Sequence, residues 1–129
     1  MSEPQAALIL AVDDEVLVLE LIQAALEDGG YRVVTATGAD EATHVLQRQA
    51  GRELSGLVTD VRLGQGKSGW DLAALARELN PTIPIVYVTG DSAHEWASRG
   101  VPHSVVVTKP FASSQITVAL ASLANRSDL

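Results

Sequence analysis

A chain of 129 residues, 47% of them hydrophobic, has the length of one domain and enough apolar material for its core. Its formal charge of −7 argues against nucleic acid or an anionic membrane as a partner, and the lack of cysteine excludes disulfides, thiolate metal sites and cysteine nucleophiles. No run reaches the roughly 18 apolar residues of a membrane span, and the opening MSEPQAA lacks the basic stretch of a signal peptide, so a cytoplasmic location is expected.

The first element is a strand over 8–12 (LILAV) that runs straight into Asp13, Asp14 and Glu15. Like charges at that spacing repel, and burial makes them harder to ionise, so a cation or a shared proton is implied. A helix follows over 16–27, with Val16, Leu19, Ile22 and Leu26 at helical spacing and Gly29 and Gly30 as its stop. The second strand spans 31–35, and the second helix 39–50 lies between Gly38 and Gly51, with His44 on its exposed flank. The third strand covers 56–59, and after the loop LGQGKSGW the third helix runs over 70–79 until Asn80 and Pro81 end it. A strand over 83–89 leads to a short fourth helix at 93–98, where SAHEWASRG offers little apolar stripe. The last strand, 104–108, and the last helix, 113–124, leave only a few residues.

Strands alternating with helices predict an α/β fold with a parallel sheet, and continuous Val, Leu and Ile runs predict strands covered on both faces. Five strands with helices on both sides give the doubly wound flavodoxin-like order 2-1-3-4-5, whose function gathers at the carboxyl ends of the strands. One domain over 1–129 is expected, with an ordered core of about 6–125 and no room for an output domain.

The strand ends carry Asp13 and Asp14, then Asp60, Thr89, and finally Lys109 with Pro110. Alone, each has an ordinary explanation. Asp13 and Asp14 cap a helix, Asp60 and Thr89 form turns, and Lys109 is solvated. Together they converge on one sheet edge. Three carboxylates suit a hard divalent cation such as Mg²⁺, and with it Asp60 becomes a nucleophile toward phosphorus. The transferred charge needs fixed positive or hydrogen-bonding partners, which Lys109 and Thr89 supply. His44, His94 and His103 lack metal-ligand spacing and belong on the surface, and Trp70 and Trp96 are read as packing or partner-surface residues. The loop LGQGKSGW lacks the spacing and terminal Lys-Ser/Thr of a P-loop and is read as a flexible connection.

The segments AVDDE, VTDVRL, PIVYVTG and TKPF, in this order on these elements, resemble a receiver domain of a two-component response regulator over essentially the whole chain. The resemblance implies that Asp60 is the phosphoacceptor, Asp13 and Asp14 the acidic Mg²⁺ pair, and the Arg62 backbone carbonyl a further ligand. It also implies Thr89 as the switch hydroxyl, Lys109 as the phosphate-binding lysine, and a cis bond between Lys109 and Pro110. The implied donor is a histidine kinase or histidine phosphotransfer protein. The implied output is a protein contact around helix four, strand five and helix five, unless the chain is a relay intermediate or a phosphate sink, and its charge speaks against nucleic acid or membrane.

The chain also departs from the family. Val106 stands where many receivers have an aromatic that swings inward, although Tyr87, two residues before Thr89, offers a related group. The loop after Asp60 has no proline where receivers commonly have one. PIVYVTGD partly overlaps a Phe-Ala-Thr-Gly branch of stand-alone receivers, and the chain is read as a stand-alone signalling phosphoprotein rather than an enzyme. Arg62 and Asp91 are expected to pair across the site and tune hydrolysis. Two rival readings stand beside this one. One is a Mg²⁺-dependent phosphatase with Asp60 as nucleophile, which usually needs a carboxylate where Arg62 stands; the other is an unphosphorylated pseudo-receiver that acts by interaction alone.

Overall fold

The computed structural model describes residues 6–49, 54–64 and 66–127. Its elements are β1 (Leu8–Val12), α1 (Val16–Asp28), β2 (Arg32–Ala36), α2 (Ala39–Gln49), β3 (Leu54–Asp60), α3 (Gly69–Leu79) and β4 (Ile85–Thr89). A 3-10 turn (Ala93–Glu95) then runs into a single α-turn, α4 (Trp96–Arg99), before β5 (Ser104–Thr108) and α5 (Ser113–Ser127). The five strands form one parallel sheet in the order β2-β1-β3-β4-β5.

Two cores clothe the sheet because successive strand residues point to opposite faces. Leu8, Leu10, Val12, Leu57, Ile85 and Tyr87 pack with Ala42 and Leu46 of α2 and Leu72, Ala73 and Ala76 of α3. Ile9, Ala11, Val58, Val86 and Val88 pack on the other side with Ile22 and Leu26 of α1 and Ile116, Leu120 and Leu123 of α5. The expectation of strands covered on both faces holds along β1 and β4 and along β3 apart from Ser55, whereas β2 and β5 are sheet edges and only partly buried.

Several boundaries differ from the sequence reading. Tyr31 is absent from β2 because its amide turns back to the Leu26 carbonyl at 3.0 Å, closing the exit from α1, with Gly30 at φ 91 making the turn. β2 extends instead to Ala36, which pairs with Val12. β3 begins at Leu54, opposite Leu8, and takes in Asp60 as its last residue. β4 starts at Ile85, since Pro84 has no N–H for the ladder and the Ile83 amide bonds back to Asn80 at 3.1 Å. α1 gains Asp28 and α3 gains Gly69, while α5 continues to Ser127, no glycine or proline standing in its way. The expected ends of α2 at Ala50 and Gly51 lie outside the described residues.

Candidate functional site

The register aligns the carboxyl ends of the central strands: Val12 pairs with Thr59, Asp60 with Val88, and Thr89 with Thr108. Residues far apart in sequence thus meet at one edge. The Lys109 ammonium lies 3.2 Å from Asp60 Oδ2, 3.1 Å from Asp13 Oδ2 and 3.8 Å from Glu15 Oε1. The Lys109–Pro110 bond is cis, as the resemblance implied.

The two oxygens of each buried carboxylate have separate tasks. Asp60 Oδ1 accepts the Val61 amide at 2.7 Å, which leaves Oδ2 to Lys109. Asp13 Oδ1 accepts the Glu15 amide at 2.9 Å in the turn ahead of α1, whose N-cap Glu15 makes no side-chain cap bond, so the helix-capping explanation does not hold. Asp13 Oδ2 is buried and takes no hydrogen bond, with Lys109 beside it as a charge off the bonding direction.

Electrostatics follow from this packing. Burial pushes the Asp60 carboxyl above its ordinary 3.8, and the Asp13 charge adds to the rise, while Lys109 and the Val61 amide oppose it. Burial works against the Lys109 ammonium, but its contacts with Asp13 and Asp60 outweigh that and hold its pKa above the ordinary 10.5. Lys109 is therefore a fixed cation at neutral pH.

Asp13, Asp14, Glu15 and Asp60 each offer a carboxylate oxygen within 4.8 Å of the others. Hard oxygen donors at this density, one of them buried without a hydrogen bond, fit a small divalent cation. Asp14 and Glu15 are exposed and line, with Asp60, Arg62, Gly90, Asp91 and Lys109, a cleft of about 290 Å³.

Thr89 is buried, and its hydroxyl oxygen accepts the Ser92 amide at 3.1 Å and the Asp91 amide at 3.4 Å. Arg62 Nε meets Asp91 Oδ2 at 3.3 Å, the pairing expected from sequence, and both side chains are exposed at the rim. Ser92 joins them, donating to Asp91 Oδ1 at 3.0 Å and facing Arg62 Nε at 3.4 Å. Sequence reasoning left Glu15 and Ser92 out of the site. Glu15 was signalled by its place in the acidic run, whereas Ser92 carried no such signal.

The remaining singled-out residues sit as expected. His44, His94 and His103 are exposed. Trp70 is buried with its ring centroid 4.5 Å from that of Tyr87, and half-buried Trp96 donates its indole N–H to Ser104 Oγ at 2.9 Å.

Comparison with known proteins identifies the family of the chain. The response regulator receiver domain model matches residues 9–121. The response regulator receiver protein from Sinorhizobium medicae WSM419 is 40% identical, with a TM-score of 0.88 over 95% of this chain and 98% of that one. The alginate biosynthesis transcriptional regulatory protein AlgB of Pseudomonas aeruginosa is 36% identical over 93% of this chain, which spans only 26% of its length. The receiver domain of the sensor histidine kinase PA1611 from Pseudomonas aeruginosa PAO1 was solved with a magnesium ion coordinated in its active site cleft. At 21% identity and a TM-score of 0.78, over 93% of this chain and 98% of that one, it shares the fold. Among the described residues no helix is long and apolar enough to cross a membrane. The chain belongs to the response regulator receiver domain family of two-component signalling systems.

Proposed function

We propose that Asp60 is the phosphoacceptor and that this chain acts as one receiver unit, taking a phosphoryl group from a phosphohistidine donor. The observation that carries the reading is the Lys109 ammonium held between Asp60 and Asp13 at 3.2 and 3.1 Å, at the edge of the cleft. A carboxylate oxygen of Asp60 attacks phosphorus, the P–N bond of the donor breaks, and the imidazole leaves with the electron pair. The product is an acyl phosphate on Asp60. Water later attacks the same phosphorus and returns the carboxylate and inorganic phosphate.

The chain's own groups prepare this transfer. Val61 N–H fixes one carboxylate oxygen, and Lys109 supplies the ammonium that faces the incoming phosphoryl oxygens. The Thr89 hydroxyl accepts two amides where it stands, so its proton is free to donate. Asp13, Asp14, Asp60 and the Arg62 backbone carbonyl are the groups that would hold Mg²⁺, consistent with the magnesium site of the PA1611 receiver. Bound there, the ion would neutralise charge as the phosphoryl group transfers.

The donor is a histidine kinase or histidine phosphotransfer protein, and the output is a contact with a downstream protein in the cytoplasm. The charge of −7 favours neither nucleic acid nor an anionic membrane. The protein supports its own phosphotransfer and dephosphorylation and is not a phosphatase, because Arg62, paired with Asp91, stands where a phosphatase needs a second acid. Beryllofluoride, a stable mimic of the aspartyl phosphoryl group, tests the assignment through amide NMR spectra with and without Mg²⁺. Shifts around Asp60, Thr89 and Lys109 that need Mg²⁺ and vanish in Asp60→Asn are expected. Silence would leave an interaction-only domain, and steady turnover of varied phosphomonoesters would favour the phosphatase.

A further inference from the structure

Trp70 stands in the first turn of α3 and is only 4% exposed, yet its indole N–H meets no hydrogen-bond acceptor among the described residues. A buried tryptophan N–H ordinarily finds one, because an unmet donor away from water is costly. Trp96 shows the ordinary case, donating to Ser104 Oγ at 2.9 Å. Among the described residues one other buried side-chain atom is unmet, Asp13 Oδ2, and that one belongs to the carboxylate cluster that fits a cation.

Trp70 lines a second cleft, of about 550 Å³, between the loop after β3 and the segment after β4. Gly64 and Gly66, at φ 81 and φ 94, border it without side chains, and Val61 and Leu63 add apolar surface. Its cations are Arg62 and Arg99. Arg62 meets Asp91 at 3.3 Å and Ser92 at 3.4 Å, both through Nε. Arg99 lies 4.0 Å from Glu95, beyond hydrogen bonding, with its guanidinium 6.0 Å over the Trp70 ring. The terminal nitrogens of both side chains, the fork that suits a carboxylate, thus make no hydrogen bond among the described residues. The neighbouring hydroxyls are already spent, Ser68 Oγ donating to Asp71 and Ser92 Oγ to Asp91. Asp14 and Glu95 also border the cleft, so its lining balances two cations with two carboxylates. Such walls suit a ligand with a single negative charge and an apolar body better than a doubly charged phosphate.

We infer that this cleft binds a small organic carboxylate. The Arg99 fork takes the carboxylate, one of its oxygens accepts the Trp70 indole N–H, and the apolar body lies against Val61 and Leu63. Arg62 is the second cation, and because it also borders the Asp60 cleft the ligand sits beside the phosphoacceptor site without entering it.

Titrating sodium benzoate and sodium butyrate into the ¹⁵N-labelled full chain at constant ionic strength, followed by NMR, tests the site. A saturable shift of the Trp70 indole resonance is expected, while the Trp96 indole stays in place as an internal reference. Benzamide has the shape of benzoate without its charge, and inorganic phosphate has charge without an apolar body; each is expected to bind at least about tenfold more weakly than benzoate. Arg99→Gln, at a half-exposed side chain, and Trp70→Phe, which keeps an aromatic ring, are each expected to weaken benzoate by about tenfold, read at the Ser92 amide. No saturable shift with either acid, or benzamide binding as well as benzoate, would overturn the proposal. Phosphate binding as tightly as benzoate would overturn the organic acid as its ligand, and unchanged benzoate affinity in both variants would place the ligand elsewhere. None of these measurements needs Mg²⁺ or a phosphoryl group, so the site stands or falls apart from the phosphoacceptor reading.

Discussion

Asp60 keeps its charge against resistance from its surroundings. Burial first, and then the neighbouring Asp13, hold its folded pKa above the unfolded 3.8, so the native chain binds this proton more readily than the unfolded one. Between those two values stability falls as pH rises, and above the folded value the ionised carboxylate is a constant cost. Asp60→Asn removes that cost at neutral pH, and Lys109 keeps Asp13 at 3.1 Å as its partner, so no ammonium is stranded. Without Mg²⁺ the variant is expected to melt a few degrees higher at pH 7, the size of about 1 kcal/mol in a domain of this length. The advantage should shrink as pH falls toward 3.8, which thermal melts across pH will follow. Arg62 borders the same cleft as Asp60 and pairs with Asp91 at 3.3 Å at its exposed rim, where we propose that it tunes hydrolysis. Arg62→Ala is expected to shorten the phosphoryl lifetime severalfold, the scale of losing one exposed ion pair of up to about 1 kcal/mol. Loss of labelled phosphate from Asp60 measures it, and an unchanged lifetime would remove Arg62 from the proposal. Most of these residues were legible because each ends an apolar run. Ser92 was not, since it contributes a backbone amide and a hydroxyl that no motif announces.

The loop after Asp60 is built so that a helix can begin against the site. Ser68 caps α3 with a reciprocal pair of bonds to Asp71, and the Gly69 amide reaches back to the Val61 carbonyl at 2.8 Å. A Cβ at Gly69 would run into the carbonyl oxygen of Asp60 and lie 2.9 Å from Val61 Cα, and neither neighbour is a flexible side chain that could yield. The two residues therefore predict different defects. Ser68→Ala should cost roughly 1 kcal/mol, the usual value of a cap, and leave the Asp60 and Val61 amide resonances in place. Gly69→Ala should cost about 1 to 3 kcal/mol and shift both resonances, because backbone must move. Urea midpoints with amide spectra distinguish them. Boundaries such as this were the least legible part of the chain. Apolar content suggested a strand from Ile83, whereas Pro84 and the bond of Ile83 back to Asn80 delay β4 to Ile85. Hydrogen bonding rather than hydrophobicity sets where an element stops.

On the scale of the whole molecule, the strand order was legible because right-handed crossovers leave few ways to wind five parallel strands, and that order alone collects the strand ends. The same winding concentrates negative charge: Asp13, Asp14, Glu15 and Asp60 crowd together, and the Lys109 ammonium meets Asp13, Glu15 and Asp60 of the four. Two apolar cores offset this repulsion, but a divalent cation would relieve it at its source, by binding the folded edge and not the dispersed carboxylates of the unfolded chain. Linkage then fixes the size of the effect: at ten times its dissociation constant the ion adds RT ln 11, about 1.4 kcal/mol, and each further decade adds about as much again. Melting temperature should therefore climb with the logarithm of Mg²⁺ concentration. Asp13→Asn should flatten that climb, since it neutralises the buried oxygen that takes no hydrogen bond. Sodium chloride at matched ionic strength screens the exposed Asp14 and Glu15 without occupying the edge, so it should raise the melting temperature less and without the same dependence on Asp13. If sodium chloride and Mg²⁺ stabilise the protein equally, the relief is screening, and the acidic cluster is not a metal site.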